Sequence, residues 1–397
     1  MTTETTRTLR IAMNGVTGRM GYRQHLVRSI LSIRDDGGIT LPDGSTLQVE
    51  PILVGRNEAK LADIARRHGV EEISTDTDSV MTRDDVDIYF DAQTTSRRHA
   101  ALSKAIKAGK HVYTEKPTAE TLDQAVELAR LAREHDVIDG VVHDKLYLPG
   151  LVKLRRLVDM GFFGRILAMR GEFGYWVWEG TDVPAQRPSW NYRKDAGGSM
   201  TTDMYPHWNY VIEGLIGDIE TVYSQTATHV TERVDEKGEH YAPDTDDAAY
   251  AIFQVRTPEG DPVVVQLNSS WDTRVFRDEL VEFQIDGTKG SAVAGLFGCV
   301  CQPRAVTPRP TWNPDLPDGH DYMADWIEVP DNAATPDGSL DNGFKAQWVE
   351  YLRDVAAGRH HRYDLASGAR GVQLAVLGLR SAEEGRRLDV PTLSVGE

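Results

Sequence analysis

One pattern near the start of the chain restricts the fold more than any other. LRIAMNG (residues 9–15) is a short apolar run that ends in glycine. GVTGRMG follows, with glycines at 15, 18 and 21, and then Leu26, Val27, Ile30 and Leu31 recur at helical spacing. Strand, glycine loop and helix, in that order, let backbone amides approach and bind a pyrophosphate. The alternation continues. EPILVGR, DVDIYFDA, HVYTEK and VIDGVVH read as strands, and EAKLADIARRHG and RRHAALSKAIKAGK as helices stopped by Gly69 and Gly109. Thr121 and Gln124 form a capping-box pattern for one more helix, through about His135. Repeated units of this kind predict an α/β fold over residues 1–145: a Rossmann-type, doubly wound parallel sheet with ligands at the strand C-termini. Residues 32–48 hold Gly-Gly, Pro-Asp-Gly and Asp-Gly-Ser turn signals and read as a loop or hairpin inserted before the second strand. After about residue 145 long helical patterns thin out, and alternating strands dominate 219–285.

The balance of 44 basic and 61 acidic residues, a net charge of −17, excludes nucleic acid and anionic membranes as partners. The N-terminus MTTETTRTLR has no apolar core segment, and no run approaches a membrane span. Cys299 and Cys301 are too few ligands for a structural zinc. A cytoplasmic protein with reduced thiols and no metal is expected.

The second strand ends in Gly55, Arg56 and Asn57. An acid at this point would bind a ribose 2′-hydroxyl, whereas an arginine can pair with a 2′-phosphate. NADP is therefore the favoured cofactor, with NAD possible.

Two further stretches carry a family likeness: YTEKP at 113–117, and DAGGSMTTDMYPHWNY at 195–210. With the glycine loop, the chain resembles the Gfo/Idh/MocA oxidoreductases, which include glucose–fructose oxidoreductase and inositol dehydrogenases. The likeness runs on through 143–166, 244–271, 285–293 and the closing YDLASGARGVQLAVLGLRSAEEGRRLDVP. It implies a second, α+β domain over 146–397 with a large open, mostly antiparallel sheet, whose uncovered face implies a homo-oligomer, a dimer or tetramer. It also implies cofactor contacts from Gly15, Thr17, Gly18, Arg19, Met20, Arg56, Asn57, Thr94, Thr95, His99, Glu115 and Lys116. Two departures stand out. The loop is G-x-x-G-x-x-G rather than G-x-G-x-x-G, and Thr94, Thr95 and Ser96 stand where the family has a proline.

Oxidising a secondary alcohol requires a base for the hydroxyl proton, a cation for developing alkoxide charge, and a hydride acceptor. By resemblance, His207 is the base, Lys116 the cation and Asp203 the carboxylate that orients the imidazole. Asp203 and His207 are four apart and so share a helix face. Pro206 between them requires either a helix that starts there or a bend. Gly197 and Gly198 would let the chain turn toward the cofactor. Tyr175, Trp176, Trp178, Trp190 and Tyr192 offer faces for a sugar ring, and Lys145, Arg193, Lys194 and Asp272 are further substrate-contact candidates. The implied substrate is a sugar, polyol or glycoside. The alternatives are an NAD-dependent glycosidase of the same superfamily, acting through transient oxidation, and a non-enzymatic dinucleotide-binding regulator.

Overall fold

The computed structural model describes residues 6–176, 180–309, 321–331 and 342–395. Trp178 lies outside them. Two units emerge: residues 1–147 with 341–373 and 392–397, and residues 148–340 with 374–391. The first break falls two residues from the expected boundary. The second unit does not run on to 397, however, because the chain returns to the first unit at 341.

The first unit holds a seven-stranded sheet in the order β2-β3-β1-β5-β6-β7, with β4 also on β3. Its strands are β1 (Thr6–Asn14), β2 (Ile39–Thr40), β3 (Thr46–Val54), β4 (Glu72–Ser74), β5 (Ile88–Asp91), β6 (His111–Thr114) and β7 (Asp139–Val141). All pairings are parallel except β2 on β3, which form the hairpin expected within 32–48. The helix after the glycine loop, Gly21–Leu31, is wound as a π-helix and runs into α1 (Ser32–Asp35). The helices α2 (Glu58–His68), α3 (Thr77–Met81), α4 (Thr95–Lys107) and α5 (Leu122–Glu134) follow. Thr121 accepts from the Gln124 amide at 3.3 Å, which makes it the N-cap of α5. The apolar faces of the strands fill two cores. One takes Trp348, Tyr351 and Leu352 from the late helix α8 (Gly343–Ala357) beside Phe90 and Tyr113. These aromatics are why residues 341–373 join the first unit: stacking of Tyr113 on Tyr351 at 4.6 Å buries surface that the first 145 residues alone would leave wet.

The second unit is built on a nine-stranded sheet, mostly antiparallel, in the order β17-β16-β15-β14-β8-β13-β12-β9-β18. Its central strands are β8 (Ile166–Gly174), β9 (Asp218–Ala227), β12 (Ala248–Arg256), β13 (Pro262–Ser270) and β14 (Val281–Gly287). β10 (Arg233–Val234) and β11 (His240–Tyr241) form a separate hairpin. The remaining strands are β15 (Gly290–Ala294), β16 (Cys299–Pro303), β17 (Ile327–Glu328) and β18 (Leu388–Asp389). α6 (Pro149–Asp159) and α7 (Met200–Leu215) belong to this unit, and α9 (Leu365–Glu384) begins in the first and ends in the second. Period-two burial on β12 turns Ala249, Ala251, Phe253 and Val255 inward and leaves Tyr250 and Ile252 exposed. Both cysteines are buried free thiols. Among the described residues no helix is long and apolar enough to cross a membrane.

Candidate active site

The strand register brings the first group of predicted residues to one edge. Val54, Asn14, Asp91, Thr114 and Val141 are successive partners across the parallel sheet. Everything that follows those five residues therefore emerges together: the glycine loop, Gly55–Arg56–Asn57, Thr94–Thr95, Glu115–Lys116 and Lys145. The loop is shaped as a cradle. Gly15 has φ +92°, and a Cβ there would lie 2.5 Å from the Ala92 carbonyl carbon, so only glycine fits. Thr17, Gly18 and Arg19 are exposed. A closely packed glycine turn with an open rim, leading into a helix, fits a dinucleotide pyrophosphate.

Behind the rim lies a buried network that sequence reasoning missed. Asp91 accepts from the Arg98 Nε at 3.2 Å, from Tyr89 at 3.0 Å and from Gln93, and Arg98 also donates to the carbonyls of Gln93 and Pro117. One buried ion pair thus ties the turn after β5 to the one after β6. Glu115 is buried too. His25 Nε2 stands 2.8 Å from its Oε1, the Lys116 amide donates to its Oε2, and the Trp348 indole donates to His25 Nδ1 at 3.0 Å. An indole N–H is a donor only, so Nδ1 accepts and the ring proton sits on Nε2, directed at Glu115. Burial pushes the Glu115 carboxyl up, but the hydrogen bond from His25 and the nearby Lys116 and Arg98 charges outweigh it and hold the group below its ordinary value. A histidine within an amphipathic helix was the only sign of this in the sequence. Elsewhere on the edge, Arg56 is exposed, and Asn57 caps α2 by accepting from the Lys60 amide. His99 is hydrogen-bonded to Glu127 at 3.0 Å. Lys145 lies 3.9 Å from Asp144.

In the second unit, α7 carries Asp203 and His207. It starts at Met200 and not near Pro206, the first of the two possibilities raised by the proline. Ser199 caps it by accepting from the Thr202 amide, and Asp246 takes both the amide and the hydroxyl of Thr201 at 2.9 and 2.8 Å. Pro206 therefore sits inside the helix, which tertiary contacts hold against the ~3 kcal/mol cost of an interior proline. Tyr205 bonds Ser224 at 2.5 Å, and Trp208 donates to Ser269 at 2.9 Å. Those two aromatics are anchors to the sheet, and Tyr210 serves the histidine: its hydroxyl is 2.6 Å from His207 Nδ1. In the tautomer whose Nδ1–H donates to Tyr210, Nε2 carries the lone pair a base needs. Asp203 pairs with Arg187 at 3.1 Å.

The glycine pair has a local purpose. Gly197 adopts φ +73°, and a Cβ on Gly198 would strike the backbone of Trp190 and Asn191 at 2.3–2.4 Å. Gly198 thus approaches a neighbouring loop of its own unit. Of the aromatic candidates, Tyr192 is fully buried against Trp271 and under Arg233, which removes it as a ligand surface. Trp176 is covered on one side by Arg274 at 3.7 Å, while Trp190 is 53% exposed. Arg193 lies over Tyr241 at 4.2 Å, and Lys194 is exposed. Asp272 is paired with the buried Arg233 at 3.5 Å; burial, then the charge of Asp247, pushes its carboxyl up to about 7. These are structural ties that sequence spacing could not reveal.

Two family descriptions match this chain: an oxidoreductase family with an NAD-binding Rossmann fold over 9–143, and the GFO/IDH/MocA C-terminal domain over 151–293. The chain is also 63% identical over 390 residues to the D-xylose dehydrogenase of Paenarthrobacter nicotinovorans, covering 98% of this chain and 99% of that one. The chain belongs to the Gfo/Idh/MocA family. It is an NAD(P)-dependent oxidoreductase. A more distant member, the levoglucosan dehydrogenase of Pseudarthrobacter phenanthrenivorans, is 26% identical over 62% of this chain and 65% of its own. A solved levoglucosan dehydrogenase in complex with NADH shares the fold, with a TM-score of 0.81 at 20% identity, over 98% of this chain and 100% of that chain. The family's Rossmann domain and its open C-terminal sheet are the two units described above.

Proposed function

We propose that this Gfo/Idh/MocA enzyme oxidises an aldopyranose, D-xylose first among candidates, with NADP preferred over NAD. It is a sugar dehydrogenase, and the observation that carries the substrate is full-length 63% identity to a D-xylose dehydrogenase. The glycosidase and regulator alternatives find no support in that relative.

A bound nicotinamide cofactor would supply the acceptor for the hydride leaving the carbinol carbon. The chain does the rest. The glycine loop, Thr94 and Thr95 hold the dinucleotide. His207 Nε2 takes the hydroxyl proton, while Tyr210 keeps the ring turned and stabilises the imidazolium. Asp203 supports that charge. Lys116, with the Glu115 carboxylate behind it, stabilises the developing alkoxide.

Arg56 supports the NADP preference, since it is exposed beyond β3 with no acid beside it in sequence. The acids of the inserted hairpin are engaged elsewhere. Asp36 pairs with Lys345 at 2.6 Å, Asp43 with Ser45, and Asp35 with Arg34. The exposed sheet face carrying Tyr223, Tyr250, Ile252 and Val264 supports a homo-oligomer, which sedimentation velocity can test. A cytoplasmic location fits two free thiols. The deciding experiment is nicotinamide reduction across a panel of aldoses and polyols with both cofactors. An enzyme that reduces neither cofactor with any sugar refutes the reading.

A further inference from the structure

One guanidinium in the second unit has no part in the chemistry above, yet it is held more firmly than any surface arginine needs to be. Arg187 precedes α7. Its Nε donates to the Tyr175 hydroxyl at 3.2 Å, and its Nη1 donates to Asp203 at 3.1 Å and to Asn191 at 3.4 Å. Its plane lies 4.4 Å over the Trp271 ring. Among the described residues, Nη2 donates to no protein acceptor. The side chain is 23% exposed, and that of its partner Asp203 is 26% exposed. A solvated arginine has no use for four restraints, and one serving only to hold the fold uses its buried donors. A fork fixed on three sides, with one donor edge open beside a carboxylate, is preorganised for a ligand.

The ligand chemistry follows from the pair. A hydroxyl donates and accepts at once. Arg187 offers a donor and Asp203 an acceptor side by side, so one sugar hydroxyl can accept from the first and donate to the second. We propose that Arg187 is a specificity-determining residue that reads, together with Asp203, one hydroxyl of the substrate ring other than the one oxidised. This rests on the dehydrogenase reading above, with Asp203 beside the base.

The test crosses a substrate change with a protein change. Wild type, Arg187→Met and Arg187→Lys are assayed with D-xylose and its singly deoxygenated analogues at saturating cofactor. A site built around a hydroxyl rejects the analogue lacking it by ~10²–10⁴-fold in kcat/KM, and wild type should show this for one analogue. Arg187→Met should lose a similar factor on D-xylose but little on that analogue, so the two losses do not add. Arg187→Lys keeps the charge but not the fork, and should recover only part of the discrimination. Cofactor affinity should match wild type, while the unfolding midpoint of Arg187→Met should fall, because the substitution removes three hydrogen bonds and the contact on Trp271. If Arg187→Met misfolds, the same comparison is made with Arg187→Lys. An active wild type with Arg187 variants that lose activity equally on every sugar, or lose none, overturns this inference alone. A wild type that turns over no aldopyranose overturns the substrate reading with it.

Discussion

Replacing His25 with leucine tests whether the buried Trp348–His25–Glu115 chain holds the lysine-bearing turn. Leucine restores much of the volume but neither hydrogen bond. The Trp348 indole N–H, 3.0 Å from His25 now, is left without a partner, and the Glu115 carboxylate loses a donor at 2.8 Å. An orphaned neutral donor costs roughly 1–3 kcal/mol and an ionised acceptor more, so the variant should lose about 3–5 kcal/mol at neutral pH. The pH dependence makes the argument specific. In wild type the folded-state Glu115 lies below the ordinary glutamate value, so it contributes stability above the unfolded value, lost as pH falls through the folded one. Without His25, burial dominates and the folded value moves above the unfolded one. The variant then loses stability as pH rises between the two. The difference between variant and wild type should be largest at neutral pH and shrink in acid. Urea denaturation followed by fluorescence across that range measures it. A pH-independent difference, or one under about 1 kcal/mol, refutes the reasoning.

The remaining expectations are simpler. Lys116→Ala and His207→Ala should each lower kcat by ~10²–10⁴, with cofactor affinity nearly unchanged for His207→Ala; a near-wild-type kcat in steady-state assays refutes the role concerned. Arg56→Asp should invert the cofactor ranking, because a charge-assisted bidentate contact contributes roughly 1.5–3 kcal/mol, about ten- to a hundred-fold in Kd. Titration of both cofactors decides it, and a wild type that binds NAD more tightly and ignores the change refutes it. Burial, then the charge of Asp364, pushes the Asp139 carboxyl up to about 7, so ionising it destabilises the fold as pH rises from the unfolded value toward 7. Asp139→Asn should therefore be more stable than wild type by about 1–3 kcal/mol above neutrality and equal to it in acid, as thermal unfolding at both conditions will show.

Much of this enzyme was legible in the order of its residues. Short apolar runs alternating with period-3.6 patterns, with glycines at their ends, specify the parallel sheet, because its strands are covered on both faces and its helices on one. The glycine loop, the YTEKP turn and the spacing of Asp203 and His207 could be recognised as family features because each lies in a short contiguous segment. Other features required the tertiary structure. Nothing near Pro206 in sequence announces that Asp246, 40 residues on, pins the start of α7. Nothing near YTEKP points to Trp348 or His25, which lie far from it along the chain. Nothing beside His207 in sequence announces that Tyr205 and Trp208 anchor their helix to a sheet formed later in the chain. Arg187 acquires meaning only when Tyr175, Asn191, Asp203 and Trp271 close around it. The physical reason is the same in each case. Hydrogen-bond donors and charges are satisfied by whatever the fold brings within about 3 Å, and that distance is unrelated to separation along the chain.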